Sequence, residues 1–203
     1  MFFKGFILGF SIAAPVGPIG LLCIQRTLDR GRLHGFLSGL GAATADMLYG
    51  LVAALGLTSI ASILLGVRFW LQLGGALFLV FLGIRTMLAR PVGPAVDRRD
   101  AGNLLGAYLS IFVLTLANPA TIISFLAIFS GFGLGPREAT NASTVSLVLG
   151  VFLGSAAWWL TLSSITGFVR LRLNETGRRS INILAGLCII GVGVWAAAGL
   201  RTG

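Results

Sequence analysis

A chain of 203 residues with 56% hydrophobic and 10% charged residues, at a mean hydropathy of +0.96, has too few charges to coat a water-soluble globule; soluble domains carry about 25%. This excludes a soluble enzyme, a disordered chain and a secreted disulfide scaffold, and makes lipid the main solvent. The net charge of +9 does not point to nucleic acid, because the basic residues sit in short loops between apolar stretches, where they set membrane orientation.

A helix crossing the hydrocarbon needs about 20 mostly apolar residues, and six stretches qualify: 5–25, 35–67, 69–89, 104–132, 145–169 and 181–200. The first runs unbroken through Ala13-Ala14-Pro15 and is longer than a signal-peptide core of about 7–15 residues, so it reads as a retained helix. The expected fold is all-α, a polytopic membrane protein of about six transmembrane helices. One set of alternate loops holds Arg26, Arg30, Arg32, Arg85, Arg90, Arg98, Arg99, Arg170, Arg172, Arg178 and Arg179. The other holds Lys4, Arg68, Arg137 and Arg201. That asymmetry places the first set in the cytoplasm.

The halves resemble each other. Span one reads Gly9-Phe10-Ser11-Ile12-Ala13-Ala14-Pro15-Val16-Gly17-Pro18, and span four reads Ile111-Phe112-Val113-Leu114-Thr115-Leu116-Ala117-Asn118-Pro119-Ala120. Three spans per half is odd, so the second copy enters the membrane upside down, as in inverted-repeat transporters. We place repeat one at about 1–89, a linker at 90–103 and repeat two at about 104–203, all within a single transmembrane transporter domain.

Three features depart from an apolar helix. Pro15, Gly17 and Pro18 make a continuous helix unlikely, and carbonyls freed in hydrocarbon must face protein, water or a ligand; the bland alternative is a packing kink. Asn118-Pro119 is the counterpart in span four, with Thr115, Thr121 and Ser124 forming a polar stripe, or Asn118 simply capping a half-helix. Asp46 is the only acid in any span, and an intramembrane acid normally faces a cavity, a partner or a proton path. Thr44 and Tyr49 are placed to hydrogen-bond it. A salt bridge to Arg26, Arg30 or Arg32 competes, although Asp46 lies 11 residues beyond Gly35, about 16 Å at helical rise.

The remaining features are read as structural. Gly5/Gly9, Gly35/Gly39 and Gly150/Gly154 are close-packing pairs that also permit a homodimer. Trp158-Trp159 reads as packing or an interfacial anchor, and His34 has no ligand partner. Cys23 and Cys188 suggest neither a staple nor a metal cluster, and no cofactor or nucleotide loop is expected.

The run Pro15-Val16-Gly17-Pro18-Ile19-Gly20, Arg30-Gly31-Arg32, Gly35, residues 39–46 and Tyr49, with residues 74–83, Asn118-Pro119 and Phe125, resembles the lysine exporter (LysE-type) family of amino-acid efflux proteins over nearly the whole chain. The resemblance implies a multi-pass exporter in the bacterial inner membrane, driven by an ion gradient rather than ATP, with functional positions at 15–18, Asp46 and Asn118-Pro119. Many members carry a lysine after the Asn-Pro pair, where this chain has Ala120, so substrate identity does not carry over. The expected function is secondary-active export of an amino acid or similar small metabolite, coupled to a proton and involving no enzymatic chemistry. The alternative is a metal-ion resistance permease or thiol–disulfide carrier of related fold.

Overall fold

Proline and glycine decide where the helices stop. The computed structural model describes residues 1–15, 17–54, 68–88, 103–118, 121, 125, 141–170 and 175–198. Helix α1 (Phe2–Ala13) ends where Pro15 has no N–H to give the Ser11 carbonyl, and Ala14 N–H closes the last turn on Phe10 O at 3.0 Å. Gly17 N–H then bonds Pro15 O at 2.9 Å. Helix α2 (Pro18–Arg30) begins with proline in the first turn, where a missing N–H costs little. The two axes bend by 80°.

At the far end of α2, Gly31 has a φ of 96°, a conformation that side chains resist. That turn lets α3 (Arg32–Ala54) start at once and fold back along α2. Helices α4 (Arg68–Leu88), α5 (Leu104–Leu116), α6 (Asn141–Arg170) and α7 (Glu175–Ala198) follow, and no strand occurs among the described residues.

The α3 helix, Ala142–Arg170 of α6 and Arg179–Ala198 of α7 are each long and apolar enough to cross a bilayer, and α1 with α2 qualifies as one broken span. Leu73–Leu88 and Leu104–Leu116 are shorter apolar helices. The protein is an all-helical, polytopic membrane protein. Residues 55–67, 89–102 and 126–140, into which spans two, three and four and the linker were expected to extend, lie outside the described residues.

The distribution of side chains is that of a lipid-solvated bundle. Phe3, Ile7, Trp70, Leu77, Val113 and Trp195 are exposed, whereas Ser38, Asp46, Thr115, Ser155 and Asn182 are buried. Polar groups turn inward because hydrocarbon offers them no partner.

Helix association in lipid depends on close packing, and the contacts follow the small residues. Helix α1 lies on α6, where a Cβ on Gly5 would meet Leu147 O and one on Gly150 would meet Phe2 O. Helix α3 lies on α5 in the same manner, with Gly41 against Tyr108 O. Helices α3 and α6 pack centrally, and α4 pairs with α7 through Gly83 and Gly186. The packing is thus reciprocal, α1 on α6 and α3 on α5.

Basic side chains converge at one end. Arg32 stacks 4.1 Å from the centre of the Phe168 ring, and Arg170 Nη2 donates to Asp29 O at 3.5 Å. The end of α2, the start of α3 and the end of α6 therefore share one surface.

Candidate functional site

The break between α1 and α2 opens onto a cavity of about 90 Å³, room for a few waters at about 30 Å³ each. Pro15, Gly17 and Pro18 line it from the break, Asp46 from α3, and Thr115, Asn118 and Thr121 from α5 and just beyond. Seven of the predicted residues therefore share one space. Pro119 and Ser124 lie outside the described residues.

Local chemistry explains each wall. Prolines 15 and 18 leave the carbonyls of Ser11 and Ala14 without α-helical donors. Gly17 offers no side-chain cap to α2, and Ile19 and Gly20, the next residues of its first turn, line the cavity. Their N–H groups have no partner within the helix and carry its positive dipole end. Across the space, Pro119 has no N–H for the Thr115 carbonyl, which accepts from Asn118 N–H at 3.1 Å instead. Thr121 N–H in turn bonds Asn118 O at 3.1 Å. The second wall is thus another interrupted helix end. Thr115 Oγ1 donates back to Ile111 O at 2.8 Å.

Asp46 is 3% exposed, and its partner differs from those the sequence suggested. Ser155 Oγ donates to Asp46 Oδ2 at 2.8 Å and accepts from Trp159 Nε1 at 3.1 Å. Trp159 itself lines the cavity. The expected bonds from Thr44 and Tyr49 are not made. Thr44 Oγ1 donates to Leu40 O at 2.9 Å and accepts from Tyr108 at 2.8 Å, because two residues along a helix face different ways. Tyr49 sits one turn from Asp46, but its hydroxyl reaches Leu116 O at 2.6 Å, satisfying a carbonyl at the end of α5.

The competing salt bridge also fails. Arg26 donates to Ser38 Oγ, Ala107 O and Ser110 Oγ at 2.8–2.9 Å, and Arg32 lies on Phe168.

Ser155 and Trp159 were missed as site residues. A serine inside a glycine-rich span looks like packing, and only the crossing of α3 with α6 reveals its role. The cue available was Trp159 at one turn from Ser155, a donor and an acceptor on the same face. Cys23 is buried in the apolar core and Cys188 is exposed; neither lines the cavity. No cluster of three or more His, Cys, Asp or Glu occurs among the described residues.

Comparison with known proteins matches residues 10–199 to the model of the LysE type translocator family. The chain is 28% identical to "Putative amino acid efflux protein YcgF" of Bacillus subtilis (strain 168), covering 96% of this chain and 94% of that one. It is 25% identical to "Putative amino-acid transporter YggA" of Aeromonas salmonicida, over 97% and 95% respectively. It is likewise 25% identical to the "Threonine efflux protein" of Escherichia coli (strain K12), over 88% of each chain. No solved structure matches.

Proposed function

The chain belongs to the LysE type translocator family, and from that membership we propose that it is a secondary-active exporter of amino acids across the bacterial inner membrane, coupled to protons through Asp46. The observation that carries this reading is the gathering of two interrupted helix ends and one intramembrane acid in a single cavity. An amino acid presents opposite charges on adjacent atoms. The uncapped N-terminus of α2 suits its carboxylate, while Asp46 and the carbonyls freed at residues 11–14 suit its ammonium group.

Asp46 can accept a proton when the ammonium leaves and release it when the next one binds, which couples the two fluxes. Ser155 holds the carboxyl in place through either state, since a hydroxyl can donate to a carboxylate or accept from a carboxylic acid. The relatives named for amino acid and threonine efflux support the substrate class.

The reciprocal packing of α1 on α6 and α3 on α5 supports two inverted repeats, at about 1–89 and 104–203. The shared basic end formed by Arg32, Arg170 and the end of α2 supports a cytoplasmic position for that face.

Cells preloaded with amino acids as dipeptides test the proposal. At least one amino acid should leave faster with the wild-type protein, and that flux should collapse with an uncoupler and in Asp46→Asn. If none moves although the protein is in the membrane, the amino-acid reading fails. Efflux that persists in Asp46→Asn removes the coupling role and leaves the exporter.

A further inference from the structure

A second, larger cavity of about 480 Å³ lies between α2, α4 and α5, within the usual range for small-molecule sites of about 300–1,000 Å³. Among the described residues its charged lining is Arg26, Arg30, Arg85 and, as the single acid, Asp29. The single acid is already engaged: Gln25 Nε2 donates to Asp29 Oδ2 at 2.8 Å and Asn182 Nδ2 to Oδ1 at 3.4 Å. The cavity is therefore a cationic space whose one carboxylate is held by neutral amides.

Arg26 is the most constrained of these cations. Its Nη1 donates to Ser38 Oγ and Ala107 O, and its Nη2 to Ser110 Oγ. All three acceptors are neutral. Two of its five N–H groups, Nε–H and one on Nη2, have no acceptor among the described residues. A guanidinium locked by three neutral acceptors, with donors to spare and lining a cavity, is preorganised for a planar two-oxygen anion.

The position of Arg26 relates it to the central site. It lies eight residues beyond Pro18 on α2, about 12 Å along the axis. On α5 the chain runs the opposite way past the same two levels, with Ala107 and Ser110 at the large cavity and Thr115, then Asn118 just beyond the helix, at the small one. Leu22, which lines the large cavity on its inner side, packs in one apolar cluster with Ile111 and Leu114, which line neither cavity and fall between the two sets of lining residues on α5; all three are 0–3% exposed. The two cavities are thus stacked along α2 and α5 with an apolar plug between.

We propose that Arg26 is a waiting site for the α-carboxylate of the transported amino acid, held at the basic end of the protein before it passes the plug to the α2 N-terminus. This rests on the exporter reading and adds the substrate's entry subsite. The recognised chemistry is a free carboxylate, so an amino acid amide should not compete.

Phenylglyoxal, which reacts with accessible guanidinium groups, tests the site in the wild-type protein. Labelling of Arg26, mapped by peptide mass spectrometry on purified protein in detergent, should be slowed about ten-fold by a saturating mixture of neutral L-amino acids, a difference worth roughly 1.4 kcal/mol. The matching mixture of amides should not slow it. Equal labelling with acids and amides overturns the proposal, as does an Arg26 that never labels. Protection by phosphatidylglycerol nanodiscs but not by amino acids reassigns the site to a lipid headgroup and also overturns it.

Transport supplies the second arm: Arg26→Lys, which keeps the charge but not the fork, should export with a raised KM. An unchanged KM in a folded Arg26→Lys overturns the proposal. The two readings fail separately. An exporter whose Arg26 is indifferent to carboxylates loses only this site, whereas protection by amino acids in a protein that exports none of them loses the export and the entry role and leaves a carboxylate site at Arg26.

Discussion

Ser155 and Asp46 are 109 residues apart in the chain, yet the serine hydroxyl donates to the carboxyl at 2.8 Å where α6 crosses α3. Both side chains are buried, and Trp159 Nε1 donates to the same serine oxygen. The acid is therefore aimed by a relay from α6.

Replacing Ser155 by Ala removes the bond while changing volume by one atom. A hydrogen bond to an ionisable buried group is worth about 1.5–3 kcal/mol, so Asp46 should lose its fixed orientation and efflux should fall by roughly ten-fold or more. Ser155→Thr keeps the hydroxyl and should retain more activity if the extra methyl is accommodated. Initial efflux rates, normalised to protein in the membrane, check both. Equal rates in Ser155→Ala and wild type would show that the relay does not serve transport.

Asp46→Asn separates coupling from binding. The amide cannot carry a proton but keeps a polar group in the cavity. Net efflux driven by a pH gradient should be lost, while exchange of labelled for unlabelled substrate across proteoliposomes should persist. The exchange should need more substrate, because the amide no longer pairs with the ammonium group. Loss of both fluxes at saturating substrate would leave Asp46 with no coupling role separable from binding or structure.

The glycines divide into two classes that a substitution series can tell apart. A Cβ on Gly5 falls on Leu147 O and one on Gly150 falls on Phe2 O, both backbone atoms that can move only if α1 and α6 separate. Gly5→Ala and Gly150→Ala should each cost about 1–3 kcal/mol by overpacking and lower the detergent melting temperature. Gly17 has nothing within 4 Å of such a Cβ and has φ of −96°, which any residue adopts. Gly17→Ala should fold as the wild type does and transport less, because its methyl enters space beside the central cavity. Thermal melts and efflux rates on the same preparations check the contrast.

The legible parts of this site were those that break a local rule. A proline pair, an Asn-Pro step and a lone acid each conflict with an apolar spanning helix, so Pro15, Gly17, Pro18, Asp46 and Asn118 stood out, and the cavity unites them. Thr44 and Tyr49 are close to Asp46 along the chain but their side chains bond elsewhere, Thr44 to Leu40 O and Tyr49 to Leu116 O, 67 residues away. Ser155, Trp159 and Arg26 conform to local expectation for a small residue, an aromatic and a loop-end cation. Their partners lie on other helices, and nothing in their own neighbourhood encodes which helix will cross.

The apolar plug between the two cavities makes a different kind of prediction, since it concerns leak rather than binding. Leu22 on α2 and Ile111 and Leu114 on α5 are almost wholly buried, and they separate the cationic space from the acid at Asp46. Truncating a buried leucine or isoleucine to alanine leaves a void and costs about 2–5 kcal/mol, so Leu22→Ala and Ile111→Ala should lower stability. Where the protein still folds, the void joins two polar spaces, and water can then reach Asp46 from the basic end without a transport cycle. Proteoliposomes carrying Leu22→Ala should dissipate an imposed pH gradient faster than wild type in the absence of substrate, as read by an entrapped pH dye. Ala42, equally buried in the same cluster but itself part of the central cavity's lining, gives the opposite control: Ala42→Val adds bulk at the boundary and should slow efflux without any leak. Gradients that decay alike in all three proteins would mean that the plug is packing alone and that the barrier to protons lies elsewhere along α2.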